Sequence, residues 1–496
     1  MKKQITALLA LLLAASCFAS CGDSSTVGVT ETQDTKEADT QVTEPTEIPL
    51  DQINRENAVL LMPEVDFGGE TINILHPGER VYAQDIVGDA AGDIVDIAVY
   101  ERNLAIEELL GVKLNPIVFS DVTKDTADHL ASVVLAAEDL YDLASTHQAY
   151  TVKYLSEGYF HNFIEDQYID WEKPWWNLTY MQEMVVGNDS IYFLMGDISL
   201  MRMKSLGCIY YNKEIYKQLF GEGDDLYDTV FEGKWTFDLF AQMTKDAYAD
   251  LNGDGKVNDG DRFGAFTNNS KSLEHFIYAM GVTCTTRDSD GIPMLSMNTE
   301  RTIAASEKLL DFYHNNDGVK DTTDSAFADV NTDFANGEIL FAPTWFRHAD
   351  EFRDMKQDYG VIIRPKFDEN DTYRTLLHDG TTVFCTPITS KKTDMIGAVC
   401  EAMAFYNYKN VTPSYYEVAL KVKYARDEQT SQMLDLISET AYTDFGYVYS
   451  LLCSGLTTYR DMVTTKSQFA SWYAKKEKII EKGLNSVIDL YKENVE

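Results

Sequence analysis

The sequence predicts an α/β fold in which a parallel sheet is covered by helices. Three observations predict it. Segments that alternate like strands and segments with helical spacing take turns from Glu70 to Ala144, the order that builds parallel sheets. The chain has 496 residues, enough for several domains. Hydrophobic residues make up 45% and aromatics 12%, enough for a large core and too many for a chain disordered throughout.

The elements follow in order. Glu70-Thr71-Ile72-Asn73-Ile74-Leu75 reads as a buried strand. From Asp93 to Leu110 the apolar residues Ile94, Ile97, Ala98, Leu104, Ala105 and Leu109 have helical spacing, and Gly111 closes the helix. Val112-Lys113-Leu114 opens a strand, Thr126 to Ala137 is helical, and Tyr141 to Ala144 is a short strand. Ligands of such sheets sit beyond the carboxyl ends of the strands, which puts Ser145, Thr146, His147 and Gln148 at that edge. Later, Ser190 to Met195, Gly207 to Tyr211, Tyr359 to Arg364 and Thr381 to Phe384 read as strands. Glu214 to Phe220, Phe237 to Asp250, Thr299 to His314 and Asp394 to Tyr408 read as helices. Phe469 to Tyr491 makes a long last helix with Phe469, Trp472, Tyr473, Ile479, Ile480, Leu484, Val487 and Ile488 on one side. No internal repeat of 20 to 50 residues occurs.

The first residues are a leader rather than fold. Lys2 and Lys3 precede the apolar stretch Ile5 to Ala15, which is too short to span a bilayer as a stable helix. Phe18-Ala19-Ser20-Cys21-Gly22-Asp23 follows. Small residues before a Cys at this point resemble the lipobox of bacterial lipoproteins, with Cys21 lipidated and residues 1–20 removed. Phe18 departs from the usual Leu of that motif, and Cys17 is a rival site. Gly22 to Asn57 has no aromatic residue, seven Thr, nine acids and two bases. That composition reads as a solvated tether, taken as residues 21–65, behind the anchored Cys. No apolar run of 18 residues follows it.

Charge and motifs exclude several classes. Lys and Arg number 42 against 80 Asp and Glu, a net charge of −38. So acidic a chain repels nucleic-acid phosphates and anionic lipid. The other cysteines, Cys208, Cys284, Cys385, Cys400 and Cys453, form no CxxC pair, so neither zinc nor a disulfide framework is indicated and burial is expected. GxSxG, P-loop, HExxH and GxGxxG motifs are absent, and the reading is non-enzymatic.

The sharpest local motif runs from Asp250 to Asp261. A calcium loop of the EF-hand type needs oxygens at positions 1, 3, 5, 7 and 12 and Gly at 6. Counting from Asp250 gives Asp250, Asn252, Asp254, the Lys256 carbonyl and Asp261, with Gly255 at the turn and Asn258 at position 9. Asp at position 12 resembles the calcium loop of dockerins. A structural Ca2+ is the expectation, and a metal-free polar turn is the alternative.

Five further segments carry a resemblance that covers the chain from about Gly69. They are Ile209-Tyr210-Tyr211-Asn212-Lys213, Lys234-Trp235-Thr236-Phe237, and Phe334-Ala335-Asn336-Gly337-Glu338 with Pro343-Thr344-Trp345. Tyr359-Gly360-Val361 with Arg364-Pro365, and Thr389-Ser390-Lys391-Lys392, complete the series. In this order they resemble the sugar-binding extracellular solute-binding proteins of ABC importers, the group that includes maltose-binding protein. Tyr100-Glu101-Arg102-Asn103 and Pro174-Trp175-Trp176-Asn177 are similar to a gut-type Gram-positive subset.

The resemblance implies a periplasmic-binding-protein-like fold, two α/β lobes with a hinge and a ligand cleft. Lobe one would be residues 66–164 with 380–428, and lobe two 165–379 with 429–496. It implies a carbohydrate ligand, an oligosaccharide by preference, and ABC permease subunits as partners. The protein would be a monomer at the bacterial surface, held to the membrane by its lipid alone. Trp345 matches the family's stacking position, with Trp175 and Trp176 next; for each, core packing is the alternative. Trp235 and Trp472 read as core, and Trp171 stays open. The polar candidates are His147, Gln148, Asp197, Arg374, His378 and Asp379. Two other readings remain: the same fold with a peptide or another polar solute, and a surface glycan-capture protein or glycoside hydrolase.

Overall fold

Asp93 starts the first long helix because its carboxylate accepts the Val95 and Asp96 amides while Asp96 bonds back to the Asp93 amide, a reciprocal cap. The helix runs Ile94–Leu110 and ends at Gly111, whose φ of 60° is left-handed. In chain order it lies between two parallel neighbours of a four-stranded sheet. In the computed structural model, residues 49–221, 226–258, 260–268, 271–322, 327–352, 355–416, 428–453 and 459–494 are described. The residues from Pro49 onward make one compact unit.

The first sheet has the order Thr382–Cys385, Leu143–His147, Glu70–His76, Val112–Val118. Glu70–His76 runs parallel to Val112–Val118 from Glu70↔Val112 to His76↔Val118, and parallel to Leu143–His147 through Ile74↔Leu143. Thr382–Cys385 closes the edge antiparallel, Thr382 opposite His147. That pairing carries the third strand through Ser145, Thr146 and His147, three residues past the end that its apolar run predicts.

The second sheet has the order Tyr359–Ile362, Gly207–Asn212, Ile339–Trp345, Phe263–Asn268, Val319–Thr322. Its first two pairings are antiparallel and its last two parallel. Every residue of Gly207–Asn212 and of Ile339–Trp345 is buried, as strands covered on both faces require. Phe263–Asn268 pairs with Ile339–Trp345 only from Phe263↔Ile339 to Ala265↔Phe341. Pro343, Thr344 and Trp345 therefore run on past that neighbour.

Two segments connect the sheets side by side. One runs from Leu194 to Gly207, the other from Thr375 to Cys385. Bridges Leu194↔Phe384 and Leu206↔Leu377 zip them at either end. Ser190 to Met195 is thus not the regular strand that its sequence predicts; Leu194 makes a single bridge there. Between the bridges sits a short helix, Leu200–Lys204, capped by Ser199.

A buried polar network holds this crossing. Arg102 donates to Asn407 Oδ1 (2.9 Å) and to the Asp85 carbonyl (2.9 Å). Asn407 Nδ2 donates to the carbonyls of Asp197 (2.8 Å) and Ile198 (3.0 Å). Asp85, from the first sheet's side, accepts the Met201 amide (2.9 Å) and the Ser199 hydroxyl (3.2 Å). Asn407 opens a π-turn, Asn407–Val411, at the end of the helix Thr393–Tyr406.

The helix predicted over Phe237 to Asp250 stops at Ala247, because Tyr248 turns extended (ψ 137°). The last helix runs Phe469–Asn494 with Trp472, Tyr473, Ile480, Leu484, Val487, Ile488 and Tyr491 buried. Ile479 is 52% exposed, off the buried stripe. Trp235 and Trp472 are buried, and all five described cysteines are buried and free. Packing begins ahead of Phe67: Ala58 is buried, and Arg55 donates to the Tyr408 carbonyl (2.6 Å). Cys17, Cys21 and the tether to residue 48 lie outside the described residues.

Candidate functional site: the side-chain cluster at the crossing

Strand ends converge where the two segments cross. Leu143–His147 ends in His147, and Ile339–Trp345 ends in Trp345. The segment between them carries His378, Asp379 and Gly380. Its backbone is tied to both sides. The His378 amide donates to the Ser205 carbonyl (3.1 Å), the Gln148 amide to the Thr381 carbonyl (2.9 Å) and the Ala149 amide to the Asp379 carbonyl (3.2 Å).

Gly380 fits where a side chain does not. A Cβ there would lie 2.7 Å from His378 Nδ1 and 3.2 Å from His147 Nε2. The glycine thus lets an imidazole from each side of the crossing approach one backbone. The Gly380 amide donates to His378 Nδ1 (2.8 Å), and Asp379 Oδ1 lies 3.3 Å from the same nitrogen.

Trp345 is 2% exposed and ringed by imidazoles. Its centroid lies 4.7 Å from His378, 5.5 Å from His348 and 5.7 Å from His275. Its Nε1 donates to His275 Nε2 (3.3 Å), and the Arg347 guanidinium carbon stands 5.2 Å from its ring. Burial, and next the Arg347 charge, push the His348 imidazole down to about 3. His348 is therefore neutral at neutral pH, with its Nδ1 bonded to Thr344 Oγ1.

The first sheet's side supplies another aromatic group. His147 lies 4.5 Å from Tyr150 and 5.9 Å from Tyr82, centroid to centroid. Burial pushes the Tyr82 phenol up to about 12, with Arg347, Glu79 and Asp379 also acting on it. Arg347 comes from the second sheet, so groups of both sheets share one electrostatic environment. Gln148 is buried; its Oε1 accepts the Tyr180 hydroxyl (2.9 Å), and its Nε2 has no hydrogen-bond acceptor.

Five of the sequence candidates meet here: Trp345, His147, Gln148, His378 and Asp379. Arg374 stands apart, its guanidinium 5.6 Å from the Tyr442 ring. Trp175, Trp176 and Asp197 line a different cavity of about 1010 Å³, with Arg55, Tyr408, Tyr416 and Tyr442. There both indoles are buried and donate to one carboxylate, Trp175 to Glu401 Oε1 (3.0 Å) and Trp176 to Oε2 (2.7 Å). Burial pushes that carboxyl up to about 7 although the indole bonds pull it down. Asp197 accepts the Thr412 hydroxyl (2.7 Å) and lies 3.5 Å from Arg55.

Sequence reading did not single out Tyr82, Tyr150, His275, Arg347 or His348. Arg347 and His348 directly follow Trp345, and Tyr150 follows Gln148 by two, so those three had a positional signal. Tyr82 and His275 had none. Asp250, Asn252, Asp254, Lys256 and Asp261, the residues expected to hold Ca2+, lie outside this cluster, between Phe237–Ala247 and Phe263–Asn268 in the chain. Among the described residues, no group of three or more His, Cys, Asp or Glu side chains stands ready to hold a metal.

The fold is similar to that of solved solute-binding proteins. Similar solved structures include a cyclo/maltodextrin-binding protein complexed with maltotetraose, with a TM-score of 0.56 at 12% identity over 86% of this chain and 98% of that one. UgpB from Mycobacterium tuberculosis in complex with glycerophosphocholine aligns with a TM-score of 0.53 at 13% identity, over 85% of this chain and 99% of that one. A solute-binding protein from Thermotoga lettingae bound with alpha-D-tagatose aligns with a TM-score of 0.53 at 14% identity, over 85% and 100%. At such identities the likeness establishes the two-lobed α/β fold. No protein-family profile matches the chain, and no curated protein matches it.

Proposed function

We propose that this chain is the extracytoplasmic solute-binding protein of an ABC importer and captures a carbohydrate by closing two lobes on it. The observation that carries this reading is the composition of the side-chain cluster at the crossing. An indole, two phenols and several imidazoles are gathered with Arg347, Asp379 and Gln148 from both sides of a two-segment crossing. Sugar rings offer apolar C–H faces to aromatic rings and hydroxyls to such polar groups. Trp345 is covered in this state, so ligand enters when the lobes swing apart about the crossing. The lobes are taken to meet at the two crossing segments, residues 194–207 and 375–385.

No covalent step is assigned to the chain; its product is a closed complex presented to permease subunits. Cys21 would carry the lipid anchor and the residues from there to 48 the tether, since the folded unit begins at Pro49. Among the described residues no helix is long and apolar enough to cross a membrane. The protein acts as a monomer in this reading.

The test is a thermal-unfolding screen of the folded body against mono- and oligosaccharides, glycerophosphodiesters, amino acids and peptides. A ligand at about 100 times its dissociation constant adds roughly 2.7 kcal/mol. Stabilisation by one class of sugar is the expected result. Stabilisation by a phosphodiester or peptide alone, or turnover of labelled glycans, would overturn the carbohydrate assignment. Arg347 beside Trp345 makes the phosphodiester the second reading.

A further inference from the structure

The Asp250–Asp261 loop takes no part in the cleft, and it contains an unmet carboxylate. Its base is closed by two backbone bonds, Ala249 N–H to the Arg262 carbonyl (3.0 Å) and Arg262 N–H to the Ala249 carbonyl (2.9 Å). Within it the Gly253 and Gly255 amides donate to Asp250 Oδ1 (2.6 Å) and Oδ2 (2.8 Å). The Asp254 amide donates to Asn252 Oδ1 (2.9 Å) and the Lys256 amide to Asp254 Oδ1 (2.8 Å). Gly255 sits at φ +70°, the left-handed turn that the sixth position of such a loop needs. A polar turn makes contacts of this kind with or without a ligand.

Asp261 is different. It is 3% exposed. Its Oδ2 faces the loop, accepting the Asn258 amide (3.0 Å) and the Tyr248 hydroxyl (2.9 Å). Its Oδ1 is buried and has no hydrogen-bond donor. A buried carboxylate oxygen without a partner is costly. The neighbouring cation does not serve it: Arg262 Nε is spent on the Ala247 carbonyl (3.0 Å).

We propose that the partner of Asp261 Oδ1 is a Ca2+ ion, held also by Asp250, Asn252, Asp254 and the Lys256 carbonyl. Asn258 completes the shell directly or through water. The donors are all oxygens, mixed among carboxylate, amide and carbonyl, the set that suits Ca2+ better than the small, octahedral Mg2+. Three carboxylates exceed the charge of one divalent ion, so binding also relieves their repulsion. Since three acids do not already surround one point, binding draws Asp250 and Asp254 in around Asp261. Asp259 lies outside the described residues and has no assigned role.

The site's location defines its effect. Asp261 lies two residues before Phe263–Asn268, which stands between Ile339–Trp345 and Val319–Thr322 in the second sheet. The ion pins the start of an internal strand, away from Trp345. It stabilises the body and leaves ligand choice alone.

Terbium luminescence on the full chain tests this, because the Tyr248 hydroxyl on Asp261 puts a sensitiser beside the ion. Chelator-treated protein is titrated with Tb3+ under tyrosine excitation. One saturable site displaced by Ca2+ is expected, together with a melting temperature several degrees higher in Ca2+ than in chelator. Asp254→Asn, at an exposed position, should weaken Tb3+ binding at least tenfold while the chelated protein melts unchanged. Asp261→Asn should abolish the Ca2+-dependent shift. Emission that does not saturate or is removed by salt alone, an equal response to Mg2+, or the same melting temperature in Ca2+ and chelator would overturn the proposal. None of these outcomes bears on the carbohydrate screen, which reads a different site.

Discussion

Trp345 is the residue on which the cleft reading rests most directly. Removing its ring removes an aromatic contact worth about 1.5 kcal/mol or more, about a tenfold loss of affinity. Calorimetry of Trp345→Ala with whichever sugar stabilises the wild type should show that loss; unchanged affinity would move the ligand elsewhere. Glu401 makes a separate prediction. Its carboxyl is raised from 4.5 to about 7 by burial, so the folded protein holds a proton that the unfolded chain releases. The sign follows: this group costs no stability below about pH 4.5, and costs more as pH rises to 7, roughly 3 kcal/mol in all. His348, lowered to about 3, works the opposite way between pH 3 and 6.5, so the wild-type profile alone is a mixture. The difference between wild type and Glu401→Gln isolates the term. The variant loses one indole bond at every pH, but its deficit in melting temperature should shrink from pH 4.5 to 7. A constant deficit would show Glu401 ionised throughout. Trp345 was legible because Pro343-Thr344-Trp345 is a local signature. Glu401 was not, since its two indole partners lie 225 and 226 residues away and only the fold brings them together.

The decisive element is the pair of crossing segments. Their regular hydrogen bonding is confined to bridges at the ends, and side chains hold the middle. Asn407 bonds two carbonyls of one segment and is itself fixed by Arg102. Asn407→Ala leaves those carbonyls and a guanidinium nitrogen without partners, a cost of about 2 to 4 kcal/mol. Hydrogen exchange in residues 194–207 should speed up before the rest of the sheet does, and uniform exchange would assign Asn407 to general packing. Helices were legible where caps and apolar spacing agreed, as at Asp93 and Gly111 or at Thr299. The Ser190 to Met195 segment was misread because its apolar run reflects burial between two elements rather than ladder pairing. The Leu143–His147 strand was read short because Ser145 and Thr146 carry no apolar signal; Thr382–Cys385, far along the chain, extends it.

At the scale of the molecule, the two adjacent segments that join the sheets among the described residues would serve the proposed closure as a hinge. Small-angle scattering should record a smaller radius of gyration with ligand than without. An unchanged radius with a saturating ligand would count against capture by closure. The alternation of strands and helices made the α/β class readable. The ordered motifs from Tyr210 to Lys392 made the two-lobed arrangement readable. Order in sequence does not encode which polar groups face one another across the crossing, because that depends on long-range pairing such as His378 with Ser205.

The ring of imidazoles around Trp345 has an optical consequence. Of the chain's six tryptophans, Trp345 lies against the rings of His275, His348 and His378. Protonated imidazoles quench indole emission on contact, so a ligand seated against Trp345 would change that ring's exposure to His378 and His275. Under the proposed capture, the protein would carry its own unlabelled reporter: occupation by a transparent sugar is expected to change this indole's brightness and colour in real time.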